Sequence, residues 1–533
     1  MTSRTQALSN FGIPNAADVA TLEQHFGLPL TLDPAAIQTR ADGFKGLLYE
    51  VRLPVPPAFY ALPTAQQEGL RMVGRAMQLL AVPHRLQSNA YGQTFERLVM
   101  ETPAYAPLRP YYVRFAGPFD FLQPDSQNQP HCFLPGWEDV TRPPGGGMYP
   151  PEIRTAEEFH RLVPKGSDLD SHQRHIFQWK TPETLEAIPY CQVFQNWLSP
   201  AADLLDGAAN LFAADTPQVA HYLRTAAIAF RTNDFANNDR AWVGLTEGGL
   251  DMNIGAVEQY MDKIRGWLAQ FLGVIQIKSP EKEASLAALK AAYPLFEEHL
   301  PVEDVFKKPR KQRIPPPVFV VDNLFATAHQ NAGGHIGIAY NRPNDMMVRK
   351  AVGRRIVIMN NLVETRETGN PAGRKLMEMG IYPSQRALIT ARAITLFVFF
   401  HEEAHGNGRE HLVADPTRDA TKALGPLGGS AEELRADMVG LHNAKTAVTL
   451  GLISRQLLEE IYVTYIYRCL GTLRKGTSGA HAQGIVVTLN YLLEARALSI
   501  TRDGRTLVHL RRMPEAISEL SARTKVPGTL VTP

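Results

Sequence analysis

The strongest constraint on this chain is the pentapeptide His401-Glu402-Glu403-Ala404-His405, which closes the apolar run Ile394-Thr395-Leu396-Phe397-Val398-Phe399-Phe400. Histidines four apart meet on a helix, where about 3.6 residues per turn bring i and i+4 onto one face. The run before them buries that helix and makes it a rigid base. Two imidazoles so placed can close on a single zinc ion. Glu402 beside them can take a proton from a water that the ion activates. Glu403 reads as a solvated neighbour. The rival reading of the same residues is a core helix with two hydrogen-bonded histidines, and a third ligand decides between the two.

Candidates for that ligand lie in Gly428-Gly429-Ser430-Ala431-Glu432-Glu433-Leu434-Arg435-Ala436-Asp437. The glycines break the preceding segment and Ser430 is a good N-cap for a second helix. A glutamate from such a helix can complete the site, and an acid one turn later can orient a ligand histidine through its free ring nitrogen. Glu433 and Asp437 have that spacing; Glu432 has no acidic residue four positions on. Ser430-x-x-Glu433 is also a capping box, in which Glu433 would reach back to the Ser430 backbone instead.

The remaining sequence bounds the protein class. With 533 residues and a net charge of +2, the chain can bury a large core, in two to four domains or one bilobal unit. Neither a basic face for nucleic acid nor an acidic tail stands out, and Lys307-Lys308-Pro309-Arg310-Lys311-Gln312-Arg313 reads as a solvated linker. Cys132, Cys191 and Cys469 are odd in number and far apart, which suits a reducing compartment. Residues Met1 to Gln6 lead into no apolar leader, and no stretch is long enough to span a bilayer. The expectation is a soluble cytoplasmic protein with no nucleic-acid or membrane partner.

Patterning gives a coarse map. Residues 1–140 read as α+β with irregular connections, and Thr141 to Gly147 as a loop. From Pro182 to about Ala229 the pattern is mostly helical. Between Ala256 and Val274 a helical period places Val257, Tyr260, Ile264, Trp267 and Phe271 on one side. Val318 to Asp322 and Arg355 to Met359 read as strands, and 384–498 as mainly helical. His172 and His175, three apart, have nothing nearby to complete a site and are read as structural.

Four ordered segments resemble the dipeptidyl peptidase III family of zinc metallopeptidases, in its five-residue, bacterial-like form. They are His401 to Gly406 with Glu432-Glu433-Leu434-Arg435-Ala436-Asp437; Asp251-Met252-Asn253-Ile254-Gly255-Ala256-Val257-Glu258-Gln259-Tyr260-Met261-Asp262; Asn331-Ala332-Gly333-Gly334 through Pro343-Asn344-Asp345 to Asn361; and His481-Ala482-Gln483-Gly484. Together they span roughly residues 240–495. The resemblance supports Glu433 over Glu432 as the third ligand. It implies an α+β, mostly helical, bilobal fold: a helical zinc-binding lobe faces a mixed lobe with a β-barrel core across a cleft. The division expected is 1–271 with 328–373 for the mixed lobe, and 272–327 with 374–533 for the helical one.

The resemblance further implies one Zn²⁺ per chain on His401, His405 and Glu433. Glu402 would act as general base, His481 as a catalytic histidine that stabilises the oxyanion, and Asp437 as the group orienting a ligand histidine. Asp251 would pair with the substrate's ammonium and Asn344 would fix its backbone, with release of dipeptides from the N-termini of short peptides. Asn253 stands where animal members have a tyrosine; an amide donates a hydrogen bond but no proton. Ile485 stands where some members have an arginine. These departures motivate a second expectation, a metal-dependent hydrolase, lyase or isomerase acting on a non-peptide small molecule. A non-enzymatic peptide binder is the third, and the intact Glu402 speaks against it.

Overall fold

The computed structural model describes residues 33–44, 53–121, 129–259, 261–327, 337–369, 371–416, 420–424, 427–474, 476–477 and 480–524. Tyr260 and Asn331 to Gly334, quoted above, lie outside them. The described residues before position 140 are helices and irregular connections with one short antiparallel pair of strands, Phe119–Asp120 and His131–Cys132, so helix far outweighs strand in the pattern expected there. Many prolines had disguised short helices that begin on a proline, as at Pro34 and Pro57.

The centre of the molecule is a five-stranded sheet. Its strands are Leu250–Glu258 (β1), Gln270–Lys278 (β2), Val318–Ala326 (β3), Ala339–Arg342 (β4) and Arg355–Met359 (β5), in the order β1-β2-β3-β5-β4. Only the β3/β5 pair is parallel, with Val320 opposite Ile358. The β1/β2 hairpin, with Asn253 opposite Val274, replaces the helix expected over Ala256 to Val274. Its connection is fixed by Asp262, whose carboxylate accepts from the backbone N–H groups of Ile264, Arg265, Trp267 and Leu268 at 2.9–3.1 Å. Both faces of β1 and β2 are buried, so no alternation marks them as strands in the sequence.

Register shifts between Ala256 and Glu258 and between Ile275 and Gln276 bend the sheet, as bulges do. The bend brings the two edge strands together. Arg342 on β4 donates to Asn253 Oδ1 at 2.9 Å and to Glu258 Oε2 at 2.8 Å on β1, and the Tyr340 hydroxyl reaches Gln276 at 2.7 Å. Side chains thereby close what the backbone ladder leaves as a curled half-barrel.

Two large apolar cores lie against this sheet. One joins Phe319, Val321, Val357 and Met359 to helices Thr64–Leu79 (α1), Gln195–Phe212 (α2) and Pro217–Thr232 (α3), with the short helix Ala236–Val243 (α4) beside them. The other joins Val318, Val320, Ile356 and Ile358 to Ala391–Ala404 (α5), Gly428–Thr449 (α6), Arg455–Leu473 (α7), Ala480–Glu494 (α8) and Met513–Arg523 (α9). Alternate residues of β3 and β5 thus serve opposite cores, as a pleat with a period of two requires. The fold is α+β and bilobal, as expected. The division expected at 271/272 nonetheless falls inside β2, and β3, expected with the helical lobe, is the middle strand of the sheet.

Candidate metal centre

Helix α5 starts where Thr390 accepts the Ala393 N–H at 3.1 Å, and its apolar residues are buried on all sides. Its C-terminal end presents His401 and His405 to α6. Two glycines allow this close packing. A Cβ at Gly440 would lie 3.0 Å from the backbone of Phe400 and His401, and one at Gly484 on α8 would lie 3.1 Å from the Leu434 nitrogen. Residues 401, 433 and 481 therefore face one point from three helices.

At that point His401 Nε2 lies 3.2 Å from His405 Nε2 and 3.4 Å from Glu433 Oε2, with His405 Nε2 3.7 Å from the same oxygen. His481 Nδ1 is 3.1 Å from Glu433 Oε2, and donor atoms of His401, Glu433 and His481 all fall within 4.8 Å of one another. Ligands bound tetrahedrally at about 2.0–2.2 Å are about 3.4 Å apart, so the His401, His405 and Glu433 atoms already stand at the spacing of such a triad.

The opposite ring nitrogens make the chemistry specific. His401 Nδ1 bonds Asp437 Oδ1 at 2.7 Å, and His405 Nδ1 bonds Glu432 Oε1 at 2.8 Å. Each Nδ1 then carries the proton as donor to a carboxylate, and each neutral imidazole turns an Nε2 lone pair towards Glu433. Glu433 Oε2 is buried, and none of these nitrogens meets it along a hydrogen-bonding direction. Three lone-pair donors converging on one point repel unless a proton or a metal ion lies between them, and the residues present fit zinc in number and kind.

The acids around the centre draw a proton as well as a cation: burial disfavours a charged His401, yet Asp437 and Glu433 outweigh it and raise its pKa well above the ordinary value, so metal and proton would compete for Nε2. Burial pushes the Glu433 carboxyl up, but the charges of His481, His401 and His405 hold it down at about 2. Tyr465 on α7 donates to Asp437 Oδ2 at 3.1 Å and fixes that carboxylate. Glu402, next to His401 in the chain, is partly exposed, and no side chain among the described residues bonds its carboxylate.

Several expectations change. Ser430 is not the N-cap: α6 begins at Gly428 with Leu427 before it, and the Ser430 hydroxyl donates to Gln483 Oε1. Glu433 is thereby excluded from a capping box. Glu403 is wholly buried rather than solvated, and burial raises its carboxyl pKa well above the ordinary range. Lys308, within the run read as a solvated linker, is mostly covered and pairs with Glu410 at 3.3 Å.

Asp251 does not reach the cleft: it is 0 % exposed and ion-paired with Arg355, whose guanidinium lies over Trp242 and Phe319. A sealed carboxylate cannot meet an incoming ammonium, so the role expected of it is corrected. Asn253 and Asn344 do share a recess, with Arg174, Asp239, Gln259 and Arg342. Asn253 accepts from Arg342, and Asn344 Nδ2 donates to the Val257 carbonyl at 3.0 Å. Glu432 and Arg435 escaped the sequence reading. Glu432 was weighed only as a metal ligand, and Arg435 three positions on was the signal that could have shown its partner.

Residues 193–416 match the model of peptidase family M49, a stretch that includes His401 to His405 and ends before Glu433. A curated relative, Nudix hydrolase 3 of Arabidopsis thaliana, is 28% identical over 408 residues, covering 72% of this chain and 52% of that protein. The chain thus spans about half the length of this relative. DPP III from Caldithrix abyssi is similar in structure at a TM-score of 0.80 and 25% identity, over 92% of this chain and 90% of that one. Dipeptidyl-peptidase III from Corallococcus sp. strain EGB gives 0.80 and 23%, over 93% and 90%. The match to peptidase family M49 thus runs through the His401 to His405 motif, and nearly the whole chain shares the fold of these dipeptidyl-peptidase III structures.

Proposed function

We propose that this chain is a zinc-dependent peptidase that releases dipeptides from the N-termini of short peptides. The observation that carries the reading is the convergence of His401, His405 and Glu433 at 3.2–3.7 Å, each histidine fixed from behind by a carboxylate. Zinc held by these three side chains supplies Lewis acidity that activates water near neutral pH. Glu402 accepts the proton of the attacking water and returns it to the leaving amine. His481, 44 % exposed at the rim, donates to the developing oxyanion. Asp437 and Glu432 hold the rings of His401 and His405 in the tautomer that keeps Nε2 free. Asn344 and Asn253 bind the peptide backbone in their recess. Three free cysteines suit a reducing, cytoplasmic setting; no helix among the described residues is long and apolar enough to cross a membrane.

One observation favours a second reading. With Asp251 sealed against Arg355, the carboxylate expected to hold a free N-terminus is spent, which suits a substrate without one. The same centre would then serve a metal-dependent hydrolase, lyase or isomerase acting on a non-peptide small molecule. Mass spectrometry of a short-peptide mixture incubated with zinc-loaded protein separates the two. Dipeptides are expected from the parent and none from Glu402→Ala. No cleavage by a parent with zinc confirmed bound would sink the peptidase reading in favour of the second.

A further inference from the structure

Arg435 lies behind the metal centre, only 9 % exposed, and uses all five of its N–H groups. Nε and Nη2 form a fork on Glu432, at 2.9 Å to Oε2 and 2.6 Å to Oε1. Nη1 donates to the carbonyls of Ala404 and Asn407 at 3.1 and 2.9 Å, and Nη2 to that of His405 at 3.4 Å. The last carbonyls of a helix have no partner within it, and a cation there also meets the negative end of its dipole. One guanidinium therefore holds His405 from two sides: the backbone directly, and the ring through the Glu432 carboxylate that bonds Nδ1.

We propose that Arg435 is the positioning residue for His405 and that zinc affinity depends on it, although it bonds no ligand atom that faces the metal. This rests on the reading of His401, His405 and Glu433 as a zinc site. The two holds differ in weight. Arg354 also donates to the His405 carbonyl, at 3.1 Å, so the backbone keeps a second anchor when Arg435 is lost. Among the described residues, no other cation forks on Glu432. A carboxylate released from that fork can turn away, and the His405 ring loses its fixed direction with it. Lysine is no replacement, because a single ammonium at the end of a flexible stem cannot form a planar fork and reach three carbonyls together. The effect of Arg435 on zinc must then run mainly through Glu432.

The test is zinc affinity of the full chain, by competition with a chromogenic chelator, for the parent, R435K, R435Q, E432Q and the double variant E432Q/R435Q. Circular dichroism and thermal melts of the metal-free proteins report folding separately. The expected result is zinc bound about 10–100-fold more weakly by each single variant, R435K included, the range known for residues that orient metal ligands. The double variant should be no weaker than its weaker parent single, since both changes break the same link. Folded R435K within about tenfold of the parent would overturn the proposal, as would losses that multiply in the double variant. A purely structural role would lower the melting temperature and leave the affinity of the folded protein in place. If R435Q does not fold, R435K and E432Q decide by the same thresholds. A parent chain that takes up no zinc would instead overturn the metal-centre reading itself.

Discussion

Asp251 and Arg355 carry opposite charges where no water reaches either of them. A buried ion pair adds little to stability as a pair, but removing one member leaves the other uncompensated, at a cost of roughly 3–5 kcal/mol. Asp251→Ala is therefore expected to destabilise the protein by that amount in urea denaturation and to leave KM of the folded fraction unchanged. A variant of parental stability with a raised KM would restore Asp251 to the substrate. Two adjacent carboxylates on α5 make the same point about burial. Successive helical residues point about 100° apart, so Glu402 stays partly exposed while Glu403 turns into the packed interior, where its charged form is disfavoured. The spacing of the motif gives the first direction, and nothing in the sequence marks the second.

Helices α5, α6 and α8 meet so closely at Gly440 and Gly484 that an added Cβ would be crowded against neighbouring backbone. Replacing a helical glycine by alanine normally helps, by up to about 1 kcal/mol. At Gly440 the added Cβ would press on the Phe400 and His401 backbone at 3.0 Å, and main chain cannot step aside as a side chain does. Gly440→Ala is expected to cost about 1–3 kcal/mol, the range for overpacking, and to weaken zinc binding by moving α6, with Glu433 and Asp437, away from the two histidines. Stabilisation with unchanged zinc affinity would show that this contact does not set the spacing. The sequence made the motif helix legible, because a long apolar run and an i, i+4 pair are local signals, and the strands at Val318 and Arg355 were legible through their branched residues. The β1/β2 hairpin was not: its strands are covered on both faces, and its turn depends on one aspartate gathering four backbone N–H groups. The orienting pair Glu432 and Asp437 was legible only in half, since the partner of Glu432 is a histidine on another helix.

At the scale of the molecule, the sheet couples two cores, and a buried neutral histidine braces each. His84 Nδ1 donates to the Phe271 carbonyl on β2 at 2.8 Å, tying the N-terminal helices to the sheet. His442 on α6 donates from Nε2 to the His299 carbonyl at 2.8 Å and meets Ser518 on α9 through Nδ1 at 3.1 Å. Burial outweighs these hydrogen bonds and lowers both pKa values to about 4, against 6.5 for the free side chain. A lowered histidine pKa means that the unfolded chain takes up protons first as the solution is acidified. The stability each neutral ring supports is complete above pH 6.5 and is lost as pH falls towards about 4. The slope approaches about 1.4 kcal/mol per pH unit for each histidine. Urea denaturation of the metal-free chain keeps zinc release out of the measurement. Between about pH 6.5 and pH 5 these two residues together are expected to remove about 3–4 kcal/mol. H84Q and H442Q, which do not titrate, should each lower the stability at pH 7 but reduce its acid dependence by about half of that amount, and the double variant should remove that component. An unchanged pH slope in the double variant would place the acid sensitivity elsewhere. A slope reduced by only one of the two would mean that a single core governs the unfolding of both.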